Sequence, residues 1–370
     1  MKDREIEKIR TMLSFYMLAN NLKYLTVDKE ESVANQVYGS MILATAINSE
    51  YKRVDNLGET IRMILLKTMN DYSKDKLFSI LKRMNKGQEY ITKLTNYENM
   101  PCHSYNDFAF DCIEYELEIE KFFNEAYQKG LTSVDAKKLY ETAKNYGLFN
   151  EIGNDDKKNF EIFKFYYLNT VLKSKDRSGW DDYHWNVSID RREKISEHII
   201  GTIALATALD SEFDFNIDLD KVTSLLCIHE LGEIKIGDIT PFDNITPEQK
   251  KEIEHKAIIE VIDNLADKER IAKSIFEFDE RKSNVAKFAY YCDKLEADIQ
   301  AKVYQDMGYQ HPLTEQDNNI VFKSAVINQL VAEGATTAFD IWYGYDKDIY
   351  KDSKIFTKTL NYVKDNRLKK

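Results

Sequence analysis

Two histidines and two carboxylates, His198, His229, Glu230 and Asp293, stand on separate stretches of this 370-residue sequence and make a ligand set for one metal ion. His198 and Asp293 each interrupt an otherwise apolar segment. There an imidazole or carboxylate needs a partner, because an unpaired buried charge is costly. One divalent ion satisfies all four groups. Imidazole nitrogens mixed with carboxylate oxygens suit Mn²⁺, Co²⁺, Fe²⁺ or Zn²⁺ better than Mg²⁺, which favours an all-oxygen shell. Such an ion acidifies water and withdraws charge from a phosphoryl oxygen. Glu233 follows His229 by four residues, one helical turn along the same face if the helix persists, so its carboxylate can reach a water beside the ion. A His-Glu pair alone carries little, since 6 histidines and 63 acidic residues give about one by chance. Its neighbours give it weight.

The stretches that carry these residues occur twice. Ser32 to Tyr51 runs in step with Lys194 to Phe213 without a gap, at a constant separation of 162 positions, as between Gln36 and His198. Carried forward, the same register pairs Lys67 and Thr68 with His229 and Glu230, and after a change of spacing Ile113 pairs with Asp293. One copy keeps four ligands. The other holds Gln36, Lys67, Thr68 and Ile113, which cannot assemble a metal site because Lys67 brings a positive charge to its centre. This degenerate copy is expected to be either a scaffold or a regulator whose old pocket binds a nucleotide or partner, with Lys67 pairing with phosphate.

Helical periodicity dominates the chain. Ile195, Ile199, Ile203 and Leu209 recur at steps that give one apolar face, with Gly201, Ala204 and Ala208 small enough for another helix to approach. Thr246-Pro247-Glu248-Gln249 opens a further helix with a capping box and Pro in the first turn, running to about 265. Other helices are expected at 5–20, 34–48, 59–71, 105–129, 133–146, 160–173, 220–231, 284–307, 318–334 and 353–366. The expected fold class is all-α, with two tandem helical bundles over 1–150 and 151–370 forming a pseudo-dimer within one chain. The boundary falls in the weakly structured run from Gly147 to Lys158.

Composition narrows the partners. A formal charge of −11 and a pI near 5.3 oppose a nucleic-acid backbone as the main partner. The sequence has no apolar run near the length of a membrane span, and its charged start, Met1-Lys2-Asp3-Arg4-Glu5, lacks a signal-peptide core. Cys102, Cys112, Cys227 and Cys292 show no CxxC spacing and read as small buried hydrophobes, which fits a reducing cytoplasm. Among the other histidines, His184 reads as a loop residue, His255 as a solvent-facing helix residue, and His103 and His311 as turn residues. The aromatic tail Trp342-Tyr343-Gly344-Tyr345 reads as packing against the helical core.

In its second half the sequence resembles the HD superfamily of metal-dependent phosphohydrolases, and within it the small HD-type 5′-deoxynucleotidases. The resemblance rests on Arg177-Ser178-Gly179-Trp180, Ile195-Ser196-Glu197-His198, Ile228-His229-Glu230, Gly237-Asp238-Ile239-Thr240-Pro241 with Asp243-Asn244-Ile245, and Cys292-Asp293-Lys294-Leu295-Glu296. It implies that both bundles are HD-like, the first degenerate. It further implies that His198, His229, Glu230 and Asp293 bind a Co²⁺- or Mn²⁺-type ion. Glu233 becomes the acid that polarises water and Asp238 a second acid near the leaving group. Arg177 becomes a phosphate-binding fork and Trp180 an aromatic surface against the sugar that disfavours a 2′-hydroxyl. The sequence departs from the family at Glu230, where the family has Asp; the longer side chain reaches an ion only if the helix sits back or the side chain folds. The function implied is phosphate release from a 5′-deoxynucleoside monophosphate. Hydrolysis of a cyclic or dinucleotide signal is the alternative within enzymes, and a non-catalytic nucleotide sensor the alternative outside them. The expected partner is a small nucleotide, in a monomeric pseudo-dimer or a homo-oligomer.

Overall fold

The computed structural model describes residues 2–27, 31–98, 107–128, 135–181, 183–240, 242–316 and 320–368. Cys102, His103 and Pro241 lie outside the described residues. Among the described residues the chain is helical, with isolated bridges in place of strands. The first half contains α1 (Lys2–Asn20), α2 (Val33–Tyr51), α3 (Leu57–Leu81), α4 (Gly87–Glu98), α5 (Phe108–Gln128) and α6 (Ala136–Asn145). The second begins with α7 (Asp156–Ser174), α8 (Ile195–Phe213), α9 (Leu219–Ile228), α10 (Glu233–Ile236) and α11 (Pro247–Ile262). It continues with α12 (Lys268–Glu280), α13 (Asn284–Met307), α14 (Ala325–Ala332), α15 (Ala338–Asp346) and α16 (Lys354–Asp365).

Local chemistry sets several of these ends. The Thr246 hydroxyl accepts from the Gln249 N–H at 3.2 Å and the Gln249 side chain accepts from the Thr246 N–H at 3.0 Å, closing the expected capping box. Asp155 caps α7, and Ser283 caps α13. Gly308 ends α13 at φ +77°, a left-handed conformation that costs a glycine nothing.

Helices α2 and α8 form the centre. Ile199, Ile203 and Leu209 of α8 and Ile42, Leu43 and Ala46 of α2 have no exposed surface. Each buried Ile or Leu of this kind contributes about 1.5–3 kcal/mol. These two helices touch, and one continuous apolar core runs through both halves of the chain. The first helices cross over. α1 packs most extensively on α8, whereas α7 packs most extensively on α2. The aromatic tail is helical as α15, and Trp342 on it stacks on Trp180 with ring centres 5.3 Å apart.

Candidate functional site

α8 places His198 in its first turn, with no exposed surface. α13 places Asp293 and Glu296 one turn apart on the same face, so two carboxylates bracket one imidazole. Nδ1 of His198 lies 2.5 Å from Oε2 of Glu296, and Nε2 lies 2.9 Å from Oδ1 of Asp293. The helix of His229 does not persist. α9 stops at Ile228, and tight turns carry the chain through His229 and Glu230 to the one-turn helix α10, which begins at Glu233. Sequence periodicity over 220–231 overran this end because residues in tight turns keep nearly helical angles, as His229 does at φ −65°, ψ −22°.

Nδ1 of His229 lies 2.7 Å from the Leu226 carbonyl, which only an N–H can satisfy. That bond leaves Nε2 as the free nitrogen, and Nε2 is buried without a hydrogen-bond partner. It faces Oε1 of Glu230 at 3.4 Å and Oδ1 of Asp293 at 3.8 Å, while Oε1 of Glu230 stands 3.8 Å from Nε2 of His198. The four ligand atoms all lie within 4.8 Å of one another. Bonds of about 2.0–2.2 Å to an ion would separate neighbouring ligands by about 3.0–3.6 Å, so the cluster fits one ion with small adjustments. Glu230 reaches the cluster despite its extra methylene because the turn after Ile228 carries it. These four residues could hold a metal ion.

The protonation pattern points the same way. Burial opposes charge on His229, but Glu230 and Asp293 outweigh it and push the imidazole up to about 10. Burial and Arg177 oppose charge on His198, and Glu296 and Asp293 again prevail. Burial works against the carboxylates, yet His229 and Arg177 lower Glu230, while Lys294 and the two histidines lower Asp293. A site this rich in carboxylate draws a cation. The same charges favour a proton on each imidazole, which a bound metal ion would displace. Glu233 behaves oppositely: burial first, then Glu230 and Asp238, push its carboxyl well above the ordinary range.

All these groups except His198 and Glu296 border a cavity of about 720 Å³. Arg177 lines it with Nη1 3.2 Å from Oε1 of Glu230, and burial notwithstanding, Asp238, Glu230 and Glu233 hold it charged. Asp238 lines it too, its Oδ2 accepting from the Ser178 N–H at 2.8 Å. Trp180 forms part of the wall but is only 1% exposed, packed by Trp342 and edge-on to Tyr304. Lys250, Lys294 and Arg281 add positive charge to the rim. The apolar end is built by Trp185, Phe242, Ile341 and Trp342.

The corresponding residues of the first half gather differently. Gln36, Thr68 and Ile113 border a smaller cavity of about 280 Å³. Gln36 donates to Glu120 at 2.6 Å, Thr68 bonds its own helix, and Lys67 pairs with Asp107. His184 is buried and bonded to Asp181 and Thr240. His255 does not point freely into solvent: it is half-buried, stacked on Phe276 and bonded to Asp279 at 2.6 Å.

Three residues behind the site, Glu193, Lys23 and Tyr16, escaped the sequence reading, and Glu296 entered it only as the end of the stretch from Cys292, without a role; all four are buried. Tyr16 and Lys23 sit in a pattern that recurs 150 positions later, Phe15-Tyr16, Leu18 and Leu22-Lys23 against Phe165-Tyr166, Leu168 and Leu172-Lys173. That repeat was the available signal.

An HD-domain profile matches residues 170–333, which hold all eight predicted site residues. The chain is 31% identical over 156 residues to a 5′-deoxynucleotidase HDDC2 of Dictyostelium discoideum, covering 40% of this chain and 79% of that protein. It is 29% identical over 153 residues to the human 5′-deoxynucleotidase HDDC2, covering 40% of this chain and 71% of the relative. Against the 5′-deoxynucleotidase hdd1 of Schizosaccharomyces pombe the identity is 27% over 154 residues, covering 40% of this chain and 74% of the relative.

Proposed function

This chain belongs to the HD-domain phosphohydrolases, and from that premise we propose that it releases phosphate from a small nucleotide, best a 5′-deoxynucleoside monophosphate. The observation that carries this reading is the convergence of His198, His229, Glu230 and Asp293, with one buried imidazole nitrogen left without a partner. A bound divalent ion, of the Mn²⁺, Co²⁺, Fe²⁺ or Zn²⁺ type, supplies an acidified water and withdraws charge from a phosphoryl oxygen.

The remaining roles belong to side chains. Arg177 presents its guanidinium to the phosphate oxygens. Glu233 faces the attacking water and polarises it; burial, Glu230 and Asp238 favour its neutral carboxyl, so it would accept the water's proton only where cationic charge in the site has first ionised it. Asp238, fixed by the Ser178 amide, stands beside the leaving group. Trp180 carries the sugar on its cavity-facing edge, and its burial makes that wall rigid. The nucleoside extends toward Trp185, Phe242 and Trp342.

We further propose that the chain is an internal duplication, with boundaries at 1–150 and 151–370, packed as a pseudo-dimer. Reciprocal contacts support this. The Ala266 and Asp267 amides bond Glu50 and Ser49, while Asn85 and the Lys86 amide bond the carbonyls of Glu212 and Ser211, the counterparts 162 positions on. Lys8 reaches the Glu212 carbonyl at 2.6 Å, and Lys158 the Glu50 carbonyl at 2.8 Å.

The test is phosphate release from a panel of deoxy- and ribonucleoside monophosphates, cyclic nucleotides and dinucleotides, with Mn²⁺ or Co²⁺ added. The His229→Ala variant is expected to lose at least 10²-fold in kcat/KM while keeping its helical signal. Tight nucleotide binding without phosphate release would leave the chain a sensor and end the enzymatic reading.

A further inference from the structure

Behind the site lies a buried polar cluster that the chemistry above does not use. Lys23 follows α1 in the first half and is 2% exposed. Its ammonium lies 2.5 Å from Oε1 of Glu193 and 2.7 Å from Oε1 of Glu296, both in the second half. Each of those carboxylates has a second task. Oε2 of Glu296 holds Nδ1 of His198 at 2.5 Å. Oε2 of Glu193 accepts from the Trp180 indole N–H at 2.9 Å, and the Glu193 carbonyl accepts from the Arg177 amide at 2.9 Å. Tyr16 of α1 donates to Oε1 of Glu296, the oxygen that meets Lys23, at 2.8 Å.

We infer that Lys23 is a positioning residue through which the first half sets both the aim of His198 and the seat of Trp180. The inference rests on the reading of His198 as a metal ligand. A histidine ligand is aimed by the group that accepts its other N–H, and removing such a partner typically lowers metal affinity about 10–100-fold. Here that partner is a carboxylate whose place is set by a buried ammonium shared with a second carboxylate. Remove the ammonium, and two carboxylates lose their common counter-charge in a site closed to water. Glu296 and Glu193 then move apart, the imidazole turns with one and the indole with the other. Lys173 makes the mirror-related contacts in the first half, meeting Glu31 at 2.5 Å and Glu116 at 2.8 Å, where no imidazole follows. Lys23 thus serves a ligand that Lys173 lacks.

The experiment uses the full-length chain stripped of metal, with Mn²⁺ as the probe, titrated by calorimetry and followed at saturation by electron paramagnetic resonance. Lys23→Met is expected to weaken Mn²⁺ binding about 10–100-fold and to change the resonance line shape, which reports the ligand field at the ion and is not moved by lost stability. Should that variant fail to fold, Tyr16→Phe removes a single hydroxyl from the same Glu296 oxygen, with an expected loss of about 3–10-fold and a smaller change of line shape. Wild-type affinity and an unchanged spectrum in the variant that folds would overturn the inference. A wild-type chain that takes up no Mn²⁺ at all would instead sink the metal reading, and this inference with it.

Discussion

At Gly201 on α8, an added Cβ would stand 2.1 Å from Oε1 of Glu296, so the missing side chain is what lets that carboxylate sit against the helix. Gly39 on α2 has the same relation to Glu116, at 1.9 Å. Gly201→Ala is therefore expected to push Glu296 away from His198, costing about 1–3 kcal/mol of stability. Mn²⁺ affinity should fall with it; urea unfolding and calorimetry on the same sample check both, and wild-type values in each would reject the steric argument. A second residue-scale prediction concerns Asp298 and Asp346. Tyr350 donates to Asp298 at 2.6 Å; burial raises both carboxyls, with Asp346 adding to the rise of Asp298, and with Asp293 adding to that of Asp346, which reaches about 6 although its hydrogen bond with Asp298 works the other way. The folded chain thus keeps a proton that the unfolded chain gives up near pH 4. Stability from this proton is full below that pH and declines as pH rises toward about 6, by up to about 3 kcal/mol. Asp346→Asn is expected to flatten the decline, seen as urea midpoints that vary less than wild type between about pH 4 and 6.

At the scale of elements, the sequence announced the helices whose apolar residues recur over many turns. α8, α11 and α13 lie where the periodicity put them, because one face of each is buried along most of its length. α4, α12 and α15 were not foreseen. Among its described side chains α4 offers only Tyr90 and Leu94 as buried apolar anchors, and α15 is short and carries Gly344. α12 has Ile271, Ala272, Ile275 and Phe278 at helical steps, but charges fill its other positions and mask them. α3 runs to Leu81, beyond its expected end, with a kink at Ser73 where φ is −156°. The four converging residues were legible because His198 and Asp293 are polar within apolar runs and the repeat sets His229 and Glu230 beside them. The groups behind them were not. Glu296 looks like an ordinary charge in a charged stretch and Lys23 like a lone lysine just past a helix end, and only their burial, from distant parts of the chain, singles them out. Distance in sequence hides that kind of partnership.

Across the whole molecule, the exchange of first helices decides what each half can do alone. Residues 151–370 without α1 would leave the α8 surface bare and remove Tyr16 and Lys23 from behind His198. Expressed alone, that fragment is expected to unfold with a broad, weakly cooperative transition and to bind Mn²⁺ at least 10-fold more weakly than the full chain. Adding a synthetic peptide of residues 1–27 should recover part of both; a fragment that melts sharply and binds like the full chain would show that the crossing helix is dispensable. The crossing also bears on how the protein is made. Helix α1 leaves the ribosome well before α8, its chief partner, which emerges on the order of ten to forty seconds later at about 5–20 residues per second. Throughout that interval α1, with its buried Ile9, Met12, Leu13 and Phe15, has only α3 of its two main neighbours to rest on, so a segment made early completes its packing late.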